Sequence, residues 1–231
     1  MILHLFFQKK KKGMNKLDKL TVSVFENEDF SMSHIALIGK SGAGKSELLK
    51  QIVGSFLQSG KKIIWFGSYD EHSSMVEKWK GYRIDKNEDI NSATFSAHSF
   101  ILIDTLQIDF EHLKNILIQD NQEWILVQDD MDEVSINYEQ SEFMTRKLEF
   151  LYFVSEFGRV FNLYTLVAGE DIRTFTKTLP SKKIVDNTKN LLLLEQDYTS
   201  LKHLKKHKWI NEEQVKKIES LPKYEAFFIR K

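Results

Sequence analysis

Short apolar blocks alternate along the chain with stretches whose apolar residues recur every three or four positions. Residues 35–38 (Ile-Ala-Leu-Ile), 63–66 (Ile-Ile-Trp-Phe), 100–103 (Phe-Ile-Leu-Ile) and 124–127 (Trp-Ile-Leu-Val) are unbroken apolar runs. Such runs predict strands buried on both faces. Between them the period changes. Leu48, Leu49, Ile52, Val53, Phe56 and Leu57 fall on one helix face, as do Phe110, Leu113, Ile116 and Leu117. A helix of about eight residues should run to Lys80, with Gly81 stopping it. A long helix is expected over 140–157, with Met144, Leu148, Leu151 and Tyr152 on one face. Further strands are expected at 17–25, 82–85, 160–167, 190–194 and 224–229. Helices are expected at 201–208 and 211–220, the latter capped by Asn211 with Glu212 and Glu213 in its first turn. Residues 27–32 read as a polar turn and 86–97 as a polar loop. Trp65, Trp79, Trp124 and Trp209 read as core or half-buried residues.

Strand and helix in alternation predict an α/β fold: a mostly parallel central sheet with helices on both faces, in three layers. Ligands of such sheets sit at the carboxyl ends of the strands. The length of 231 residues fits one domain over 17–231, preceded by a basic tail over 1–16 that is expected to be disordered or artefactual. Lys9 to Lys12 make that tail basic, and Met14 offers an internal start that would make residues 1–13 an artefact. Lys+Arg and Asp+Glu both number 33, so no global charge argues for a nucleic-acid binder, although a local patch remains open. The chain has no Cys, which excludes disulfides, thiolate zinc sites and a cysteine nucleophile, and fits a reducing cytoplasmic compartment. No apolar run approaches the ~20 residues that span a bilayer. MILHLFF at the start is too short for a signal-peptide core with its cleavage site.

The chemistry concentrates after the first apolar block. Gly39, Lys40, Ser41, Gly42, Ala43, Gly44, Lys45 and Ser46 spell G-x-x-x-x-G-K-S between a predicted strand and a predicted helix, with Glu47 following. That context is what a phosphate-binding P-loop requires. Glycines let the backbone approach a phosphate, and successive N–H groups form an anion nest at the positive end of a helix. Lys45 should reach the β- and γ-phosphates of a nucleoside triphosphate, ATP, and the Ser46 hydroxyl should ligate Mg²⁺.

A P-loop ATPase also needs an aspartate to hold Mg²⁺ indirectly, on a strand expected beside the P-loop strand, and an acid to orient the attacking water. Ile125-Leu126-Val127-Gln128-Asp129-Asp130 supplies both, Asp129 for the metal and Asp130 for the water. Gln128 stands where a fourth apolar residue is usual. Asp130 is one methylene shorter than the expected Glu, moving the base by roughly 1.5 Å. Asp104, closing the cleaner run 100–103, is a competing metal aspartate, but Thr105 gives it no second acid. Asp132 and Glu133 read as a solvated helix start.

Together these pieces resemble the FtsK–HerA superfamily of RecA-like motor ATPases, which includes DNA translocases of cell division and ATPases of conjugative type IV secretion. The resemblance covers most of 33–231. It rests on the P-loop, on a second strand running into Gly67-Ser68-Tyr69-Asp70-Glu71, on Asp129-Asp130, on Phe157-Gly158-Arg159 before VFNLYTLVAGED, and on the ending EEQVKKIESLPKYEAFFI. It implies a RecA-like P-loop fold and a homo-oligomeric, hexameric ring with ATP sites between subunits. Hydrolysis would drive DNA or protein through the pore, in the cytoplasm or at the inner face of the membrane beside membrane-bound secretion or division proteins. It also implies that Glu170, with Gly169, replaces the Thr-Gln of a γ-phosphate sensor. Arg159 becomes either an arginine finger reaching a neighbour's nucleotide or a surface arginine after a helix.

Other readings are narrower. A P-loop small-molecule kinase would want an arginine-rich lid, which the five arginines do not form. A nucleotide-binding scaffold with weak catalysis fits the altered acid and sensor positions. His203 and His207, set among Lys202, Lys205, Lys206 and Lys208, lack a third metal ligand and read as a solvated basic face, with contact to a nucleic-acid backbone left open.

Overall fold

The computed structural model describes residues 2–3, 33–104, 106–131, 138–176, 178–221 and 226–230. In chain order the elements are β1 (Ile2–Leu3), β2 (Ile35–Ile38), α1 (Lys45–Gln58), β3 (Lys62–Phe66), α2 (Tyr69–Lys78), β4 (Tyr82–Ile84), α3 (Ser92–Ala97) and β5 (Phe100–Ile103). There follow α4 (Phe110–Asp120), β6 (Trp124–Gln128), α5 (Tyr138–Phe157), β7 (Leu163–Gly169), α6 (Ile172–Thr176), α7 (Leu179–Asn187), β8 (Asn190–Leu193), α8 (Tyr198–Lys206), α9 (Glu212–Glu219) and β9 (Ala226–Arg230).

The strands form one sheet in the order β1-β9-β8-β2-β7-β6-β3-β5-β4. From β8 to β4 every pairing is parallel, while β9 runs antiparallel to β8 and β1 antiparallel to β9. The strands are apolar on both sides because both faces are covered. On β6, Ile125 and Val127 join the core under α1 and α2, while Trp124 and Leu126 join the core under α3 to α9. On β3, Ile63 and Trp65 face the first of these cores, and Ile64 and Phe66 the second. This is the period-two alternation of a strand, with apolar residues in both registers. Trp65 and Trp124 are fully buried, and Trp79 and Trp209 pack half-buried against the core.

The helices begin where the sequence offers caps. Asp109 accepts from the N–H groups of Glu111 and His112 at 3.0 Å. Asn211 and Gln214 form a reciprocal capping box at α9, and Thr178 and Ser181 do the same at α7. Each such cap contributes about 1 kcal/mol.

Several boundaries differ from the sequence reading. Residues 86–97, expected as loop, contain a 3₁₀ turn and α3, whose N-cap Asn91 accepts from Thr94 N–H at 3.0 Å. Six residues with one buried side chain, Phe95, are too few to show a period. Helices α6 and α7 had no predicted counterpart. β7 starts at Leu163 because Gly158–Phe161 form a 3₁₀ turn and Asn162 turns left-handed at φ 58°. Asp197 caps α8, which therefore begins before 201 and ends at Lys206. In α5 the buried stripe is Phe143, Lys147, Phe150, Leu151 and Val154, while Met144, Leu148 and Tyr152 lie at its margin. The strand predicted beside the P-loop strand was β6, but β7 is inserted between them. The predicted elements at 17–25 and 27–32, and Asp132 and Glu133, lie outside the described residues.

Candidate nucleotide site

β2 ends at Ile38, and the backbone then turns through the glycine-rich loop into α1. Gly42 and Gly44 have φ of 73° and 95°, the left-handed region where a Cβ is strained. Gly39 is needed for another reason: a Cβ there would lie 2.8 Å from that of Leu194. The loop is hung from both neighbouring strands. Gly39 N–H donates to Gly169 O at 3.2 Å, and Lys40 N–H to Glu195 O at 3.0 Å. Lys40 Nζ also lies 2.5 Å from Glu195 Oε1. Lys45 Nζ donates to Gly39 O at 2.8 Å and reaches Lys40 O at 3.4 Å, so the ammonium sits inside the loop it must serve.

A cleft of about 780 Å³ opens over this loop and crosses the carboxyl ends of the central strands. Of the residues proposed from sequence, Ser41, Gly42, Gly44, Lys45, Ser46 and Glu47 line it, together with Asp129, Asp130 and Glu170; the competing Asp104 lines it too, at the end of the cleft beyond β3. Gly39, Lys40 and Ala43 shape the loop without lining the cleft. Glu71 lines it at the head of α2, whereas Asp70 does not. Arg159 is not brought here. It precedes the seven-residue strand β7, whose far end carries Gly169, so it stands about 20 Å away at the amino end of the strands. Its charge is felt there by His34, the residue before β2.

The two competing aspartates are separated by the sheet order. Only β7 lies between β2 and β6, so Asp129 follows a strand about 10 Å from the P-loop strand; β5, which leads to Asp104, is about 19 Å away. Asp104 is moreover ion-paired to Arg83 at 2.7 Å, and that guanidinium stacks 4.6 Å from the Tyr69 ring centre.

Two titratable lining residues escaped the sequence reading. His72, in the first turn of α2, is buried against Trp65 with ring centres 5.0 Å apart. A Cβ on Gly67 would lie 2.8 Å from its ring, so the glycine makes its room. Burial, then the Lys50 ammonium, pushes the imidazole below its ordinary value against the opposing pull of Glu71, Asp129 and Asp104. Lys147 is 2% exposed, with Nζ 5.1 Å from the Phe143 ring centre. Its signal was available: a lysine four residues after Phe143 and four before Leu151, on an apolar helix face. Arg173 is held by Asp171 through Nε at 2.6 Å. Among the described residues no arginine lines the cleft.

The donor set suits a hard divalent cation. Mg²⁺ takes few protein oxygens and keeps waters and phosphate oxygens. The Ser46 hydroxyl and the Asp129 carboxylate line one cleft with the lysine of the phosphate loop.

Residues 16–226 match the family described as helicase HerA, central domain. No curated protein matches the sequence. Among solved structures, the genome packaging NTPase B204 of Sulfolobus turreted icosahedral virus 2, in complex with ATP-gammaS, superposes with a TM-score of 0.59 at 15% identity, over 87% of this chain and 93% of that one. VirB4 of Thermoanaerobacter pseudethanolicus superposes with a TM-score of 0.62 at 13% identity, over 85% and 86%. The pCW3 conjugation coupling protein TcpA, with ATPgS, gives 0.58 at 15% identity; this chain is covered to 88% but spans only 59% of TcpA. At these identities the superpositions establish a shared fold.

Proposed function

Because the chain belongs to the family of the helicase HerA central domain, we propose that it is an ATP-driven motor domain of the FtsK–HerA type. The observation that carries this is the convergence of the P-loop, Asp129, Asp130 and Glu170 on one cleft, across the ends of β2, β7 and β6. Lys45 binds the β- and γ-phosphates. Ser46 and Asp129 are the residues that would hold Mg²⁺. When bound, that metal neutralises charge on the phosphate oxygens. Asp130 orients the attacking water, and Glu170, at the end of β7, stands where it can report the state of the γ-phosphate.

Phosphoryl transfer concentrates negative charge on the equatorial oxygens. The cleft of one chain meets it with Lys45 and Lys147. Arg159, exposed and about 20 Å from its own cleft, would act as an arginine finger on the nucleotide of another copy, the alternative being a surface arginine. A ring of copies, with hexamer as the size the family suggests, supplies that geometry. B204 is a genome packaging NTPase and TcpA a conjugation coupling protein, and DNA is accordingly the proposed polymer for this chain. Membrane-bound secretion or division proteins are the proposed anchors; no described helix is long and apolar enough to cross a membrane.

The test is ATP hydrolysis by the purified chain with and without DNA, using Lys45→Ala as the control. DNA-stimulated turnover lost in the variant is expected. Tight ATP binding without turnover under any condition would overturn the motor reading. It would favour a weakly catalytic scaffold, a reading that draws on the short acid at Asp130 and its left-handed backbone at φ 63°.

A further inference from the structure

Among the residues lining the cleft, Gln128 is the one whose type the strand pattern does not explain. It closes β6, is 2% exposed, and is paired in register with Phe66 on β3 and Val167 on β7. An amide in such a slot loses its water and must find partners inside. Its Nε2 donates to Asp129 O at 2.7 Å and lies 3.4 Å from Asp130 O. Chemistry sets that orientation, because only the NH₂ end can face two carbonyl oxygens. The other end, Oε1, is buried without a partner among the described residues.

The backbone that receives these bonds is unusual. Asp130 has φ 63°, which a non-glycine residue adopts rarely and at some cost. The next residue is tied to the neighbouring strand: Met131 N–H donates to Ala168 O at 2.7 Å. The turn that carries both acids is thus gripped from below by Gln128 and from the side by β7. A carboxylate on a short arm has little reach of its own, so its position depends on the backbone that presents it.

We propose that Gln128 is a positioning residue for the acid pair. Its amide holds the carbonyls of Asp129 and Asp130, keeps the left-handed turn in place, and so presents the short Asp130 carboxylate to the cleft it shares with Lys45. An apolar residue at 128 would need a longer acid at 130; here the amide and the short acid go together. This inference rests on the ATPase reading above.

The test compares wild type, Gln128→Leu, Asp130→Glu and the double variant Gln128→Leu/Asp130→Glu, with melting temperature recorded for each. Gln128→Leu should lower kcat by about tenfold or more and leave KM for ATP within about twofold. Its melting temperature should change little, since removal of a buried unpaired oxygen offsets loss of the amide's two bonds. In the double variant the longer acid no longer depends on the grip, so kcat should return to within about threefold of Asp130→Glu alone. A Gln128→Leu enzyme with wild-type kcat would overturn the proposal, and so would a double variant that loses as much as the leucine single. If wild type shows no turnover, it is the ATPase reading that fails. The positioning role is then read from Mg²⁺-dependent ATPγS binding. A half-saturating Mg²⁺ concentration raised about threefold or more by Gln128→Leu supports it, and an unchanged one overturns it.

Discussion

Substitution of His34 should flatten the acid limb of this protein's stability. His34 has no exposed surface and sits just before β2, beneath the sheet end opposite the nucleotide cleft. Its Nδ1 accepts from Thr165 N–H at 3.1 Å and lies 3.1 Å from Thr165 Oγ1. A nitrogen that accepts from a backbone N–H carries no proton, so the folded state holds the ring neutral. Burial first, and the Arg159 charge second, lower its pKa from 6.5 to about 4. The sign follows from proton uptake. Below pH 6.5 the unfolded chain binds a proton here that the folded chain refuses until about pH 4. The stability His34 lends is therefore complete above pH 6.5 and is lost as pH falls toward 4. Each tenfold change in proton affinity is worth about 1.4 kcal/mol, so the full loss is roughly 3 kcal/mol, of which about 2 kcal/mol is gone by pH 5. The assay is urea unfolding of wild type and His34→Gln at pH 8, 7, 6 and 5. The variant should be less stable at pH 8 and should close the gap as pH falls. A constant difference from pH 8 to pH 5 would refute the reasoning, because it would mean the ring titrates alike in both states.

Two further outcomes separate roles within the fold. Asp129→Asn should lower kcat about 100-fold or more and raise the Mg²⁺ requirement. Asp104→Asn should cost no more than about 1 kcal/mol through its half-exposed ion pair with Arg83, with kcat within about fivefold of wild type; steady-state kinetics against Mg²⁺ decide between them. Gly81→Ala should destabilise the β4–β5 edge by about 1–3 kcal/mol in thermal unfolding, since its Cβ would lie 2.9 Å from the Phe100 carbonyl, which cannot swing aside.

Local signals were enough for much of this protein. The apolar blocks at 35–38, 63–66, 100–103 and 124–127 all became buried strands, because a strand covered on both faces has no polar position to blur it. The glycine-rich turn between β2 and α1 was equally legible, since its pattern is contained in consecutive residues. Caps at Asn211 and the helix spacing of α1 and α4 are likewise local. What depended on strand order was not legible. Nothing between residues 100 and 130 says that β7, which comes later in the chain, will slip between β2 and β6, or that Asp104 will fall four strands from the P-loop beside Arg83. Arg159 shows the same limit, because whether an arginine lies near a nucleotide depends on which end of its strand faces the cleft. Short helices such as α3 and α6 were missed because five or six residues hold less than two turns of pattern. Lys147 and Gln128 broke the apolar pattern visibly, yet only packing could give the breaks a meaning. Composition and period determine which residues are buried and which loop can hold a phosphate. The sheet order, set by long-range pairing, decides which acids meet that loop and which side chains hold them there.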